Sequence, residues 1–167
     1  LIYVFRFIQA SIFVLLSCLS SMVHAQGMQV AFGSAAQDSG LPVEVTAENL
    51  DVNQTDGTAI FSGDVLVGQG EMRLSAPRVL VVYLKDRSGI ARLEASGGVT
   101  LVSGKDAAEA ARADYDIQSG MIEMNGDVLL VQGPAALTAD TMTVDTVAGT
   151  ARMNGRVKTV LQPEKQL

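Results

Sequence analysis

The chain reads as an all-β protein built from repeated short strands, and three observations predict this. The first is an internal repeat. GTAIFSGDVLV (57–67), GIARLEASGGVTL (89–101), GMIEMNGDVLL (120–130) and GTARMNGRVKT (149–159) share one layout. Each has a turn glycine, an alternating apolar run, a glycine-containing kink or tight turn, and a valine that opens a second alternating run. The valines Val65, Val99, Val128 and Val157 are 34, 29 and 29 residues apart, and self-similarity at such a period marks a repeat architecture. The second observation is that turn signals recur roughly every 8–12 residues, as in a sandwich, a barrel or a stacked solenoid. The third is composition: 48% hydrophobic but only 5% aromatic, without tryptophan. So lean a core suits a thin or stacked β-structure better than a thick globule.

The first 25 residues stand apart. Arg6 precedes an apolar run from Ile8 to Leu16, and Val23-His24-Ala25 places small residues at the −3 and −1 positions. This is the layout of a secretory signal peptide cut after Ala25. The apolar run is shorter than the ~20 residues a membrane span needs. Cys18 in LLSC has the look of a lipoprotein box, but the apolar run continues past it and VHA offers a better site. Cleavage would remove Cys18, His24 and Arg6, leaving 11 basic residues against 18 acidic ones. A chain without cysteine suits an oxidising envelope compartment. With no basic cluster to neutralise phosphates, nucleic acid is not an expected partner. Residues 26–41, small and polar, are expected to form a flexible arm.

From Pro42 onward the chain is expected to be ordered to residue 161, with 162–167 a polar tail. Val43, Val45 and Ala47 alternate with polar residues as in a half-buried strand. A phase change near Asn49 predicts a bulge or corner. Pro77 should interrupt pairing, and VLVVYL (79–84) is apolar enough to be covered on both faces. KDAAEAAR (105–112) has helical composition, yet the alternation of DYDI just after it favours a strand. Asn-Gly at 125–126 and 154–155 signals hairpins. The sum is about fourteen short strands. A stack of this kind leaves its first and last strands unpaired, so end-to-end self-association is expected.

Few kinds of chemistry remain open to residues 26–167. Without His or Cys there can be no His-based triad, no thiolate nucleophile and no Cys/His zinc site. Asp114/Asp116 and Asp140/Asp145 could be paired acids, but acids on the polar phase of a strand or beside turn residues are ordinarily solvated. Asp51, Asn53 and Asp56 read as a turn rather than a calcium loop. No catalytic residue, metal or cofactor is expected. What stands out is an apolar inward phase: Val43, Val45, Phe61, Val65, Val67, Val99, Leu101, Tyr115, Val128 and Leu130. These could simply fill a core, or they could line a groove for lipid chains.

The stretch PVEVTAENLDVNQTDGTAIFSGDVLVGQGEMRLSAPRVLV (42–81) resembles the OstA-like domain of the LptA family, the periplasmic lipopolysaccharide-export bridge. Phe61, Gly63, Val65, Val67, Gln69, Gly70, Leu74, Ala76, Val79 and Val81 carry the pattern, and NGDVLLVQG (125–133) repeats it. The likeness extends over 42–161 and departs mainly at KDAAEAAR. It implies a partly open, taco-like antiparallel β-jelly roll that shelters the acyl chains of lipid A. Val43, Val45, Phe61, Leu101 and Tyr115 would be the foremost contacts. It further implies location in the periplasm, receipt of lipopolysaccharide from an LptC-like inner-membrane protein, delivery to an LptD-like outer-membrane translocon, and head-to-tail homo-oligomers. The rival readings are the LptC-like relay itself, a structural β-repeat filament subunit, and a carbohydrate-active enzyme on a β-helix.

Overall fold

A computed structural model describes residues 28–33 and 40–161. It contains eleven strands: β1 (Met28–Ala31), β2 (Glu44–Thr46), β3 (Asn49–Asn53), β4 (Thr58–Gln69), β5 (Met72–Tyr83), β6 (Ile90–Ser103), β7 (Asp106–Asp116), β8 (Met121–Gln132), β9 (Ala135–Asp145), β10 (Thr150–Asn154) and β11 (Lys158–Leu161). All belong to one antiparallel sheet ordered β1-β10-β9-β8-β7-β6-β5-β4-β2, with β3 also on β4 and β11 also on β9. KDAAEAAR is strand, as the alternation predicted. Ala108, Ala110 and Ala113 face the core, so packing between β6 and β8 overrides the helical preference of alanine.

The strands are fewer and longer than the expected fourteen, and one feature explains the difference. The glycine kinks do not end strands; they fold them. Gly63 and Asp64 on β4 together face the single Pro77 on β5. Gly97 and Gly98 on β6 face Ala111 on β7, and Gly126 and Asp127 on β8 face Asp140 on β9. Such two-against-one bulges bend a strand and sharpen its twist. Aligned across neighbouring strands, they make a crease that divides the sheet into two leaves. Asn125-Gly126 therefore lies inside β8, not at a hairpin tip. Asn154-Gly155 likewise joins β10 to β11, and both of these strands run along β9. The break expected near Asn49 is the same crease, where β2 and β3 meet β4 on either side of Gly63.

The crease is held by backbone and side chain together. Gly126 sits at φ 90°, and a Cβ there would lie 2.8 Å from Ala111 Cβ. At one border Glu48 N–H donates to Gly63 O (3.0 Å), and at the other Asp140 N–H donates to Gly155 O (3.0 Å). Arg156, itself at φ 40°, donates through Nε to Asp140 Oδ1 (2.8 Å) and also through Nη2.

Leaf one comprises β1, β10, β3 and the halves of β4–β9 that include Ala59, Val81, Leu93, Tyr115, Ile122 and Val144. Leaf two comprises β2, β11 and the halves that include Val67, Leu74, Leu101, Ala108, Leu130 and Leu137. On both leaves alternate residues are buried, and these form a single apolar cluster between the leaves. The outer surface is only partly covered. In VLVVYL, Val79 and Val81 are sealed and Tyr83 packs against the same interior cluster, but Leu80 and Val82 on the outer face are only half-buried, so cover on that face is partial. No described element packs on that outer side.

The segment expected as a flexible arm, 26–41, contains β1, whose four residues pair with β10. Phe32, just after it, is 4% exposed. Burial of Val30 and Phe32 against the cluster orders residues 28–33 despite their polar surroundings. The signal peptide, Cys18, the tail 162–167 and Pro163 lie outside the described residues.

Candidate functional site: the interior of the folded sheet and its mouth

The ten residues of the apolar inward phase do share one surface, the inside of the fold. Val65, Val67, Val99, Leu101, Tyr115, Val128 and Leu130 are each at most 1% exposed. Val43 and Val45 at the β2/β4 border and Phe61, on β4 beside β3, are half-buried and pack against the same cluster. Most of the ten lie on leaf two. The same interior also holds Met72 at the mouth end of leaf two and, on the facing leaf one, Met124, Met142 and Met153, all at most 1% exposed. Methionine is unbranched and fills irregular space. Valine, alanine and leucine or isoleucine line both leaves, and three of the four buried methionines among the described residues lie on leaf one.

Opposite the crease, the two leaves end in rows of turns, and the space between the rows is the mouth. The polar side chains found in the interior gather there. Tyr115 Oη, at the leaf-one end of β7, donates to Gln69 Oε1, at the leaf-two end of β4 (2.5 Å). Strands β5 and β6 separate these two in the sheet, so the bond spans the gap between leaves. Gln69 Nε2 donates to Leu41 O (2.9 Å). Burial pushes the Tyr115 hydroxyl above the ordinary tyrosine range, while the neighbouring Thr146 hydroxyl acts in the opposite direction. A second crossing lies at the other end of the mouth. Gly33 N–H donates to Asp106 Oδ2 (2.8 Å), and Gln132 Nε2 donates to Ala31 O (2.7 Å) and Asp106 Oδ2 (2.9 Å). Among the described residues every buried side-chain nitrogen and oxygen has a partner.

The acids weighed as catalytic pairs are occupied elsewhere. Asp116 caps a turn by accepting from Ser119 N and Oγ, which holds its carboxyl below the usual range. Asp145 accepts from Ala148 N–H (2.8 Å), and Asp114 pairs with Arg112. Asn53 Oδ1 accepts from the Thr55 and Asp56 amides, making 53–56 a turn. No group of three or more potential metal-ligating side chains occurs among the described residues.

Residues 44–150, more than half of the chain, match the family described as LptA/(LptD N-terminal domain) LPS transport protein. The chain belongs to this family. Its fold is also that of a solved relative, LptH of Pseudomonas aeruginosa, described as the LptA homologous periplasmic component of a lipopolysaccharide transport device. The two superpose with a TM-score of 0.67 at 18% identity, over 76% of this chain and 99% of that one. A comparison with curated protein sequences returned no match. The family is thus one of lipopolysaccharide transport, and the fold is the antiparallel β-jelly roll that the resemblance implied.

Within this LptA-like fold, the mouth residues escaped notice as site residues. In the sequence, Gln69 and Gln132 read only as part of the repeat and its turns, and Thr146 and Phe32 carry no distinguishing pattern. One signal was available. Gln69, Ser103 and Gln132 each close the second run of a repeat, and each sits at a hairpin end of leaf two. A polar residue that repeatedly ends an inward apolar run marks the rim of a groove.

Proposed function

We propose that the chain is a periplasmic carrier that shelters the acyl chains of lipid A between its two leaves and hands lipopolysaccharide between membranes in an end-to-end assembly. The observation that carries this reading is the interior itself. One sheet, folded along one crease, encloses an apolar surface that continues from the β2/β3 border to the β1/β11 border. Burying an acyl chain is worth about 0.8 kcal/mol per CH₂. A chain of a dozen carbons therefore faces a barrier on the order of 10 kcal/mol to crossing water unsheltered.

In the lipid-free protein the leaves pack on each other, so a guest enters by parting them about the crease. The half-buried Val43 and Val45 at the β2/β4 border and Phe61 beside β3 form the first step inward, and Val65, Val67, Val99, Leu101, Tyr115, Val128 and Leu130 form the lining once the leaves open. Both borders suit docking. β3 exposes Leu50 (54%) and Val52 (60%), and β11 exposes Val160 (47%) and Leu161 (71%). Border strands with free backbone groups accept a further strand. An LptC-like donor, an LptD-like acceptor or a second copy fits such a border.

The test is lipid recovered with the protein. Chain purified from the envelope in mild detergent and extracted with organic solvent is expected to yield lipid A by mass spectrometry. Extracts free of lipid A, from protein that forms polymers, would instead favour the filament-subunit reading.

A further inference from the structure

The interior of this fold is apolar except at its mouth, where hydrogen bonds join the leaves at two places: Asp106 and Gln132 hold Gly33 and Ala31 at one end, and at the other the fully buried crossing is the pair Gln69 and Tyr115. Both residues are 1% exposed. Their strands are not neighbours, so the bond contributes nothing to the ladder of the sheet and acts only across the gap. It is anchored on the leaf-two side, because Gln69 also holds Leu41 O through Nε2. A cleft of about 330 Å³, lined in part by Leu41, Leu66, Gly68, Gln69 and Arg73, reaches Gln69 from outside. The contact is therefore buried yet adjacent to solvent.

We propose that the Gln69–Tyr115 pair is a latch that holds the mouth shut in the lipid-free carrier and is broken when an acylated lipid enters. The proposal rests on the carrier reading above. Its physical basis is the contrast between the two kinds of contact across the gap. Apolar contacts between the leaves can be exchanged for contacts with an acyl chain at little net cost, because one hydrocarbon replaces another. The hydrogen bond cannot be replaced by hydrocarbon, so it opposes opening specifically. A protein whose binding-competent form is the open one loses apparent affinity in proportion to how rarely it opens. Removing the latch then tightens binding, the reverse of what loss of a lining residue does.

The test uses the chain with Cys18→Ser, Lys105→Cys and Gln118→Cys, spin-labelled at the two introduced cysteines. These positions are exposed turn residues at opposite ends of β7, one on each side of the mouth. Pulsed electron resonance should give one narrow distance without lipid and a longer one with purified lipid A. Tyr115→Phe should lengthen or broaden the lipid-free distance and tighten lipid A binding about five-fold, the worth of one ordinary hydrogen bond. Gln69→Leu should do the same, and serves if the phenylalanine variant does not fold. An unchanged lipid-free distance in a folded variant overturns the latch, as does weaker lipid A binding. If the parent protein binds no lipid A at all, the carrier reading falls, and the latch as a lipid gate falls with it. If the parent binds lipid A at an unchanged label distance, the latch alone falls.

Discussion

At the scale of single residues, the crease is where the fold is least forgiving. Gly126 combines a left-handed backbone with a neighbour, Ala111 Cβ, too close to admit a side chain. Gly98 has φ 97° but open space around it. Gly126→Ala is therefore expected to cost about 2 kcal/mol or more, and Gly98→Ala about 1–2 kcal/mol from backbone strain alone. Urea unfolding of the two variants checks the order, and equal losses would remove steric crowding from the explanation. Titration gives a second residue-scale expectation. Hydrogen bonds from Ser119, Ser88 and Arg156 hold Asp116, Asp86 and Asp140 below the ordinary carboxylate pKa. Their contribution is complete above about pH 4 and is lost as pH falls through the lowered folded values. Tyr115 runs the other way. Its raised folded pKa means that its contribution is complete below about pH 10 and is lost as pH rises towards the folded value. Tyr115→Phe should accordingly flatten the alkaline limb of the stability profile while leaving the acid limb in place. An unaltered alkaline limb would show that another group controls it.

At the scale of elements, β1 is the strand whose assignment depends most on tertiary context. It has four residues, little alternation and polar surroundings, and it is ordered because Val30 and Phe32 reach the shared cluster. Phe32→Ala is expected to cost about 3 kcal/mol and to speed amide exchange at the β1–β10 pairing more than at the β5–β6 pairing. Uniform acceleration would show that Phe32 supports the whole core instead. This element shows why part of the fold was not legible from sequence: local pattern reports a strand only when the strand carries its own alternation. β4 to β9 do so, and even the alanine-rich β7 betrayed itself through Asp114-Tyr115-Asp116-Ile117. The crease was visible as a repeated glycine but misread as hairpins at Asn125-Gly126 and Asn154-Gly155. A glycine kink and a glycine turn have the same local signature. Only the register of the neighbouring strand, Ala111 or Asp140 opposite the kink, separates them. The inward phase was legible for the same reason as the strands, since period two puts Val65, Val67, Val99 and Leu101 on one face. The mouth was not, because the Gln69–Tyr115 bond joins residues 46 apart that no local pattern relates.

At the scale of the whole molecule, one folded sheet has one inside and two borders, and the two have separate uses. In the proposed reading the borders are the place for assembly. Replacing Val160 by lysine adds charge to β11 on its outer face, opposite Ala136, without touching the interior, and should reduce end-to-end association in sedimentation experiments while leaving lipid binding within two-fold. Loss of both together would mean that the border and the interior are not independent. In the same reading the inside holds the cargo, and the central claim is that acyl chains lie against it. A photo-reactive amino acid placed at Val45, Phe61 or Leu101 in living cells addresses that claim most directly, with Leu66 on the outer face as the control position. Ultraviolet light should join lipopolysaccharide to the three inward positions and not to Leu66. Crosslinks confined to Leu66, or none at any position in folded and exported protein, would contradict the account.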